Sequence, residues 1–129
     1  MNSLRSKLGK ITKKYDYNKM KAGSSIITAG FILQARNRYD KTLLDPKVIR
    51  YGLTCSKRIG NAVKRNRAKR RLRALITNII PFDGLNGWDY VLIGREHATE
   101  QIPFKILEQD SKQALFKLHN KESKKCEKD

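Results

Sequence analysis

A chain of 129 residues with 29 Lys and Arg against 12 Asp and Glu, a net charge of +17 and a pI near 10.2, is suited to a polyanionic partner. No apolar run approaches the roughly 18 residues of a membrane span, and no secretory-type apolar segment is seen near Met1. The two cysteines, Cys55 and Cys126, frame neither a disulfide nor a metal site, so a reduced, cytoplasmic protein without a membrane partner is the expectation.

The length is that of one domain spanning 1–129, with an ordered part over about 8–118 and flexible ends at 1–7 and 120–129. Residues 1–23 are basic. Leu4, Leu8 and Ile11 read as a loosely anchored arm, followed by a short helix over Lys13–Ala22 that ends at Gly23. Tyr17 and Met20 share a face of that helix, as core anchors or as an edge on which RNA bases stack. Ile26–Arg36 reads as one strand, with Phe31, Leu33 and Ala35 alternating against Ile32 and Gln34. Asn37–Lys47 is polar and contains Asp45-Pro46, a loop. In the strand Val48–Ser56, Ile49, Tyr51, Leu53 and Cys55 alternate with Arg50, Gly52, Thr54 and Ser56. The small residues of the second set leave either a shallow ligand surface or the wet side of a sheet.

Between Lys57 and Arg73 stand nine Lys or Arg and no acid. A run this one-sided repels itself unless it is solvated or meets an anion. Ala68, Leu72, Leu75, Ile76 and Ile79 fall on one stripe at 100° per residue, so the basic segment is also a core-docked helix, from about Asn61 to Ile80 with Asn61 as N-cap. Asn66, Arg70 and Arg73 form a second stripe at i, i+4 and i+7, with Lys69 beside it and Arg67 and Arg71 further round. An ordinary solvated face is the bland reading; so many guanidinium groups without acids favour a polyanion partner.

Pro81–Gly87 closes that helix, Trp88–Gly94 is an apolar central strand, and Pro103 opens a last helix. Phe104, Leu107, Ser111, Ala114, Leu115 and Leu118 supply its buried face. From Asn120 the charged tail reads as disordered. The order gives an α/β (α+β) two-layer sandwich on one sheet, with the strands before and after the basic helix parallel. General handedness rules favour a right-handed crossover between them.

Catalytic constellations are missing. His97 and His119 lack metal-ligand spacing, the carboxylates are scattered, and no phosphate-binding glycine loop occurs. Arg95-Glu96-His97 reads as a solvated loop sooner than a site. No catalytic and no metal-binding residue is assigned to the protein.

The stretch Ser56–Arg73, S-K-R-I-G-N-A-V-K-R-N-R-A-K-R-R-L-R, closely resembles the bacterial ribonuclease P protein family. Arg65-Asn66-Arg67 followed by Lys69-Arg70 and Arg73 matches that family's "RNR" motif, and a more diffuse likeness covers about Leu8 to Leu118. The resemblance implies one mixed sheet with a left-handed βαβ crossover, similar to a ribosomal-protein domain. It implies a subunit that helps remove the 5′ leader of precursor tRNA, the chemistry belonging to a catalytic RNA with Mg²⁺ bound mainly by that RNA. The expected partners are ribonuclease P RNA and precursor tRNA, with a protein monomer in a protein–RNA heterodimer. Carried over by position, Lys57, Arg58, Asn61, Arg65, Asn66, Arg67, Lys69, Arg70 and Arg73 face the catalytic RNA, while Tyr17, Phe31 and Thr54 line a cleft for the leader. Met20 and Gln34 stand where the family often has aromatics, which implies weaker stacking on the leader. The alternative is a structural RNA-binding protein of ribosomal or assembly type with no part in cleavage.

Overall fold

The computed structural model describes residues 8–20, 23–37 and 48–128. Five strands form one mixed sheet: β1 (Leu8–Lys10), β2 (Ser24–Ile27), β3 (Phe31–Asn37), β4 (Ile49–Thr54) and β5 (Trp88–Gly94), in the order β1-β4-β5-β3-β2. β4 is parallel to both β1 and β5, and β3 is antiparallel to β5 and β2. Four α-helices occur among the described residues: α1 (Lys14–Lys19), α2 (Ala62–Asp83), α3 (Ala98–Gln101) and α4 (Phe104–Lys128). The parallel β4 and β5 are joined through α2, as the pattern of the sequence predicts.

Side-chain alternation splits the sheet into two unlike faces. One presents Phe31, Leu33 and Ala35 of β3, Ile49 of β4, and Trp88, Tyr90 and Leu92 of β5. Against it pack the α2 stripe of Ala68, Leu72, Leu75, Ile76 and Ile79, and Leu107, Ala114, Leu115 and Leu118 of α4. Each fully buried aliphatic side chain there stabilises the fold by about 1.5–3 kcal/mol. On the other face a smaller cluster of Ile11, Met20 and Val91, with Tyr17 and Ile93 at its margin, docks α1.

Several elements differ from expectation. Leu8 is part of a strand, and Ile11 is buried, its N–H bonded to the Tyr51 carbonyl at 2.8 Å. Leu4, the end at 1–7 and most of the Asn37–Lys47 loop lie outside the described residues. Of the helix read over Lys13–Ala22, α1 covers Lys14–Lys19 with Met20 as its C-cap; Lys21 and Ala22 lie outside the described residues, and Gly23 donates its N–H to the Met20 carbonyl. Ile26–Arg36 is a hairpin, because the Thr28 hydroxyl both accepts the Phe31 N–H at 3.1 Å and donates to the Phe31 carbonyl at 2.8 Å. Pro81 lies inside α2, which runs on to Asp83. A proline costs the bond to the preceding turn, which burial of Ile80 and Pro81 in the core offsets. The backbone also stays helical through Lys128, where the tail was expected to be disordered. Extending a helix already anchored by Leu118 is much easier than nucleating one, and Lys and Glu are good helix formers.

Candidate RNA interface

The link from β4 into α2 is tightly specified. Ser56 Oγ accepts the Arg58 N–H at 3.3 Å and caps a 3-10 turn, Lys57–Ile59, anchored by buried Ile59. Gly60 follows with φ of 135°, a conformation that a side chain rarely adopts. Asn61 Oδ1 then accepts the Lys64 N–H at 3.0 Å, the N-cap its sequence position predicts. These bonds fix where α2 leaves the sheet, and hence where its cations point.

Lys57, Arg58, Asn61, Asn66, Arg67, Arg70 and Arg73 are exposed, whereas Arg65 and Lys69 are half-buried. At about 100° per residue Asn66, Arg70 and Arg73 share one flank of α2, and Arg67 and Arg71 turn to the other. No acid occurs in α2 before Asp83, so the first flank is uncompensated along its own helix. On the second flank Arg71 serves the fold. Its Nη1 donates to the carbonyls of Thr99, at 2.8 Å, and of Glu100, and its Nη2 donates to that of Ile102 at 2.7 Å. Arg67 stands 3.8 Å from Glu100, a partly solvated pair worth little. The α3 turn that receives these arginines follows directly on Arg95-Glu96-His97, and no sequence pattern marks it.

Cys55 sits under the start of α2. Burial pushes its thiol up, more than the nearby Lys69 and Arg65 charges draw it down, so it stays a neutral thiol at ordinary pH.

The α1 side of the sheet has a different chemistry. Tyr17 covers Gly52 so closely that a Cβ there would stand 2.6 Å from the phenol oxygen. The ring is half-buried: it anchors the Ile11–Met20 cluster and keeps part of its surface outward. Burial raises the phenol above its usual pKa, against a weaker opposing effect from a hydrogen bond with the Leu53 backbone. Thr54, at the open end of β4, is exposed.

Phe31 has to be corrected. It is 0% exposed and points into the α2–α4 core with Leu33 and Ala35, so it cannot line a leader cleft. The hairpin puts Ile32, Gln34 and Arg36 on the opposite face, where Gln34 is half-buried. Met20 is a buried anchor. That face also holds an unforeseen ion pair. Arg50 donates to Asp89 through Nε at 2.9 Å and Nη2 at 2.6 Å, and Arg36 lies 3.6 Å away. Asp89 is fully buried. An acid inside the apolar run W-D-Y-V-L-I, opposite Arg50 in parallel register, was the signal available.

Among the described residues no three His, Cys, Asp or Glu side chains are grouped so as to hold a metal ion, and no helix is long and apolar enough to cross a membrane.

The sequence model of the family described as Ribonuclease P matches residues 6–119. A ribonuclease P protein component of Ruegeria pomeroyi is 44% identical over 109 residues, covering 84% of this chain and 85% of its own. Its counterpart in Paramagnetospirillum magneticum is 39% identical over 111 residues, covering 85% and 82%. The solved RNase P protein of Staphylococcus aureus matches with a TM-score of 0.63 at 25% identity, over 82% of this chain and 91% of that one. That of Thermotoga maritima shares the fold, with a TM-score of 0.61 at 23% identity over 78% and 89%.

Proposed function

Because the chain belongs to the ribonuclease P protein family, and so partners ribonuclease P RNA in a tRNA-processing ribonuclease, we propose that α2 is its RNA-binding element and the α1 side of the sheet its substrate cleft. The observation that carries this reading is the flank of Asn66, Arg70 and Arg73, exposed and without an acid on its own helix before Asp83. Arginine forks pair two phosphate oxygens and stack on bases. Lys57, Arg58, Asn61, Arg65, Arg67 and Lys69 extend the surface around that flank. Tyr17 and Thr54 receive the single-stranded 5′ leader of precursor tRNA, with Gly52 leaving room for the Tyr17 ring.

The cationic lining offers Mg²⁺ no set of carboxylates, so in this reading the metal is held by the RNA, which carries out the chemistry. The protein contributes charge neutralisation and a hold on the leader, one chain to one RNA, in the cytoplasm. A purely structural RNA-binding role would use the same charge but leave cleavage unaffected.

The test has two parts. Protein, cognate RNA and their mixture are compared in multiple-turnover cleavage of a 5′-extended precursor tRNA at low Mg²⁺. Enhancement in the mixture over RNA alone is expected; no enhancement would favour the structural role. In parallel, Arg70→Ala should lower the log–log salt slope of binding to the catalytic RNA by roughly 1. Arg71→Ala, whose guanidinium is engaged with α3, should instead lower thermal stability and leave the slope unchanged. Equal slopes for wild type and Arg70→Ala would remove α2 from the interface.

A further inference from the structure

α2 and α4 lie side by side against the sheet, and two polar contacts fix how they align. Asn78 Nδ2 donates to Glu108 Oε2 at 3.4 Å. Further along, the Tyr90 hydroxyl joins the Leu85 N–H, at 2.8 Å, to His119 Nε2, also at 2.8 Å. The chain therefore advances from Asn78 to Leu85 as α4 advances from Glu108 to His119, and the two helices run in the same direction. One turn beyond the Asn78–Glu108 contact stand Phe82 on α2 and Lys112 on α4, and one turn beyond Lys112 stands Phe116. Phe82 is 59% exposed and Phe116 68%.

Phe116 belongs to an outward stripe of α4, formed by Lys105, Gln109, Lys112, Phe116 and Asn120 at i, i+4, i+7, i+11 and i+15, all of them exposed. The neighbouring acids are turned aside. Glu108 is engaged by Asn78, and Asp110 faces the β2–β3 hairpin across a groove on the other flank of α4. Asp83 stands about 100° round α2 from Phe82. Phe82 itself continues a flank of α2 that begins at Arg67, about 22 Å earlier at about 1.5 Å per residue. The patch is thus cationic, aromatic and continuous with the basic half of α2.

That chemistry selects the partner. A second copy of the chain carries the same net charge of +17 and is repelled. An RNA duplex keeps its base faces stacked inside and leaves the rings nothing to cover. An unpaired strand supplies both phosphates for the lysines and base faces for the rings, and base–aromatic stacking is tolerant of sequence. Resting on the reading of α2 as an RNA-binding element, we propose that Phe82 and Phe116, with Lys105 and Lys112, form a second RNA contact, a stacking platform for an unpaired strand.

The experiment uses the full chain and two fluorescein-labelled RNAs, a twenty-nucleotide oligouridine and a blunt twenty-base-pair duplex. Anisotropy titrations compare wild type with Phe82→Ala, Phe116→Ala and Phe116→Leu. Each alanine variant should bind the oligouridine roughly tenfold more weakly and the duplex as wild type does. Phe116→Leu, which keeps apolar bulk without the ring, should lose as much as Phe116→Ala. Replacing Lys105 and Lys112 together by alanine should lower the log–log salt slope on the oligouridine by about 1.4, at about 0.7 per phosphate of a single strand. Both rings are exposed, so the variants should fold, which a melt by circular dichroism checks. Unchanged oligouridine affinity in both alanine variants, or an equal loss on the duplex, would overturn the platform. So would a wild-type dimer in size-exclusion chromatography that Phe116→Ala dissolves. Wild-type protein that binds neither RNA would instead overturn the RNA-binding reading beneath it.

Discussion

Replacing Asp89 by alanine should be among the most destabilising single changes in the sheet. Asp89 is fully buried, accepts two hydrogen bonds from Arg50 and lies 3.6 Å from Arg36. Arg50 is itself only 8% exposed, so its guanidinium cannot recover water when the carboxylate is gone. Removing one partner of such a pair costs about 3–5 kcal/mol, mostly the penalty of the stranded charge. For a chain of 129 residues the unfolding entropy is roughly 0.27 kcal/mol/K, so the melting temperature should fall by about 11–18 °C. Thermal unfolding followed at 222 nm measures this directly. The double replacement Arg50→Met with Asp89→Leu leaves neither charge and should regain most of the loss. A drop below about 4 °C, roughly 1 kcal/mol, or a double variant no better than the single, would refute the stranded-charge explanation.

Tyr17→Ala should weaken binding of leader-bearing precursor tRNA more than of mature tRNA, by about 1–3 kcal/mol for each stacked base lost. Equal losses in filter binding would leave Tyr17 as an anchor of the Ile11–Met20 cluster alone. His119 should make stability depend on pH. The Leu85 N–H donates to the Tyr90 hydroxyl at 2.8 Å, so the hydroxyl proton is assigned to His119 Nε2, also at 2.8 Å, which requires a neutral ring. Burial lowers the folded pKa of His119 below 6.5, so in that window the unfolded chain binds more protons. This contribution is complete above about pH 6.5 and is lost as the pH falls through the folded value. Melts between about pH 7.5 and 5 should show it, with a flatter profile for His119→Gln; parallel profiles would exclude His119 as the source.

What could be read in advance followed from range of interaction. The α2 stripe from Ala68 to Ile79 repeats over several turns and is long enough for periodicity to identify, and Trp88–Gly94 is an apolar run interrupted by Asp89. β1 has three residues and exists through pairing with β4, a contact that no local pattern records. The faces of β3 were separable by alternation, with Phe31 beside Leu33 and Ala35. Assigning Phe31 to the cleft ignored that the more apolar set belongs under the helices. Arg70 and Arg71 are neighbours of identical chemistry; one rotation step along α2 sends the first to solvent and the second to the carbonyls of Thr99, Glu100 and Ile102.

The sheet order also sets a timetable for synthesis. β1 leaves the ribosome early, yet it pairs with β4, and Ile11 and Met20 close their cluster on Val91 of β5. At about 5–20 residues per second, on the order of ten seconds separate the emergence of β1 from that of β5. Throughout that interval the α1 side has no core, and α2 has no completed sheet on which to lay its stripe. Non-local closure of this kind slows folding. A nascent chain interrupted before Trp88 therefore carries the basic segment with neither hydrophobic cluster complete, which makes it a ready target for proteolysis.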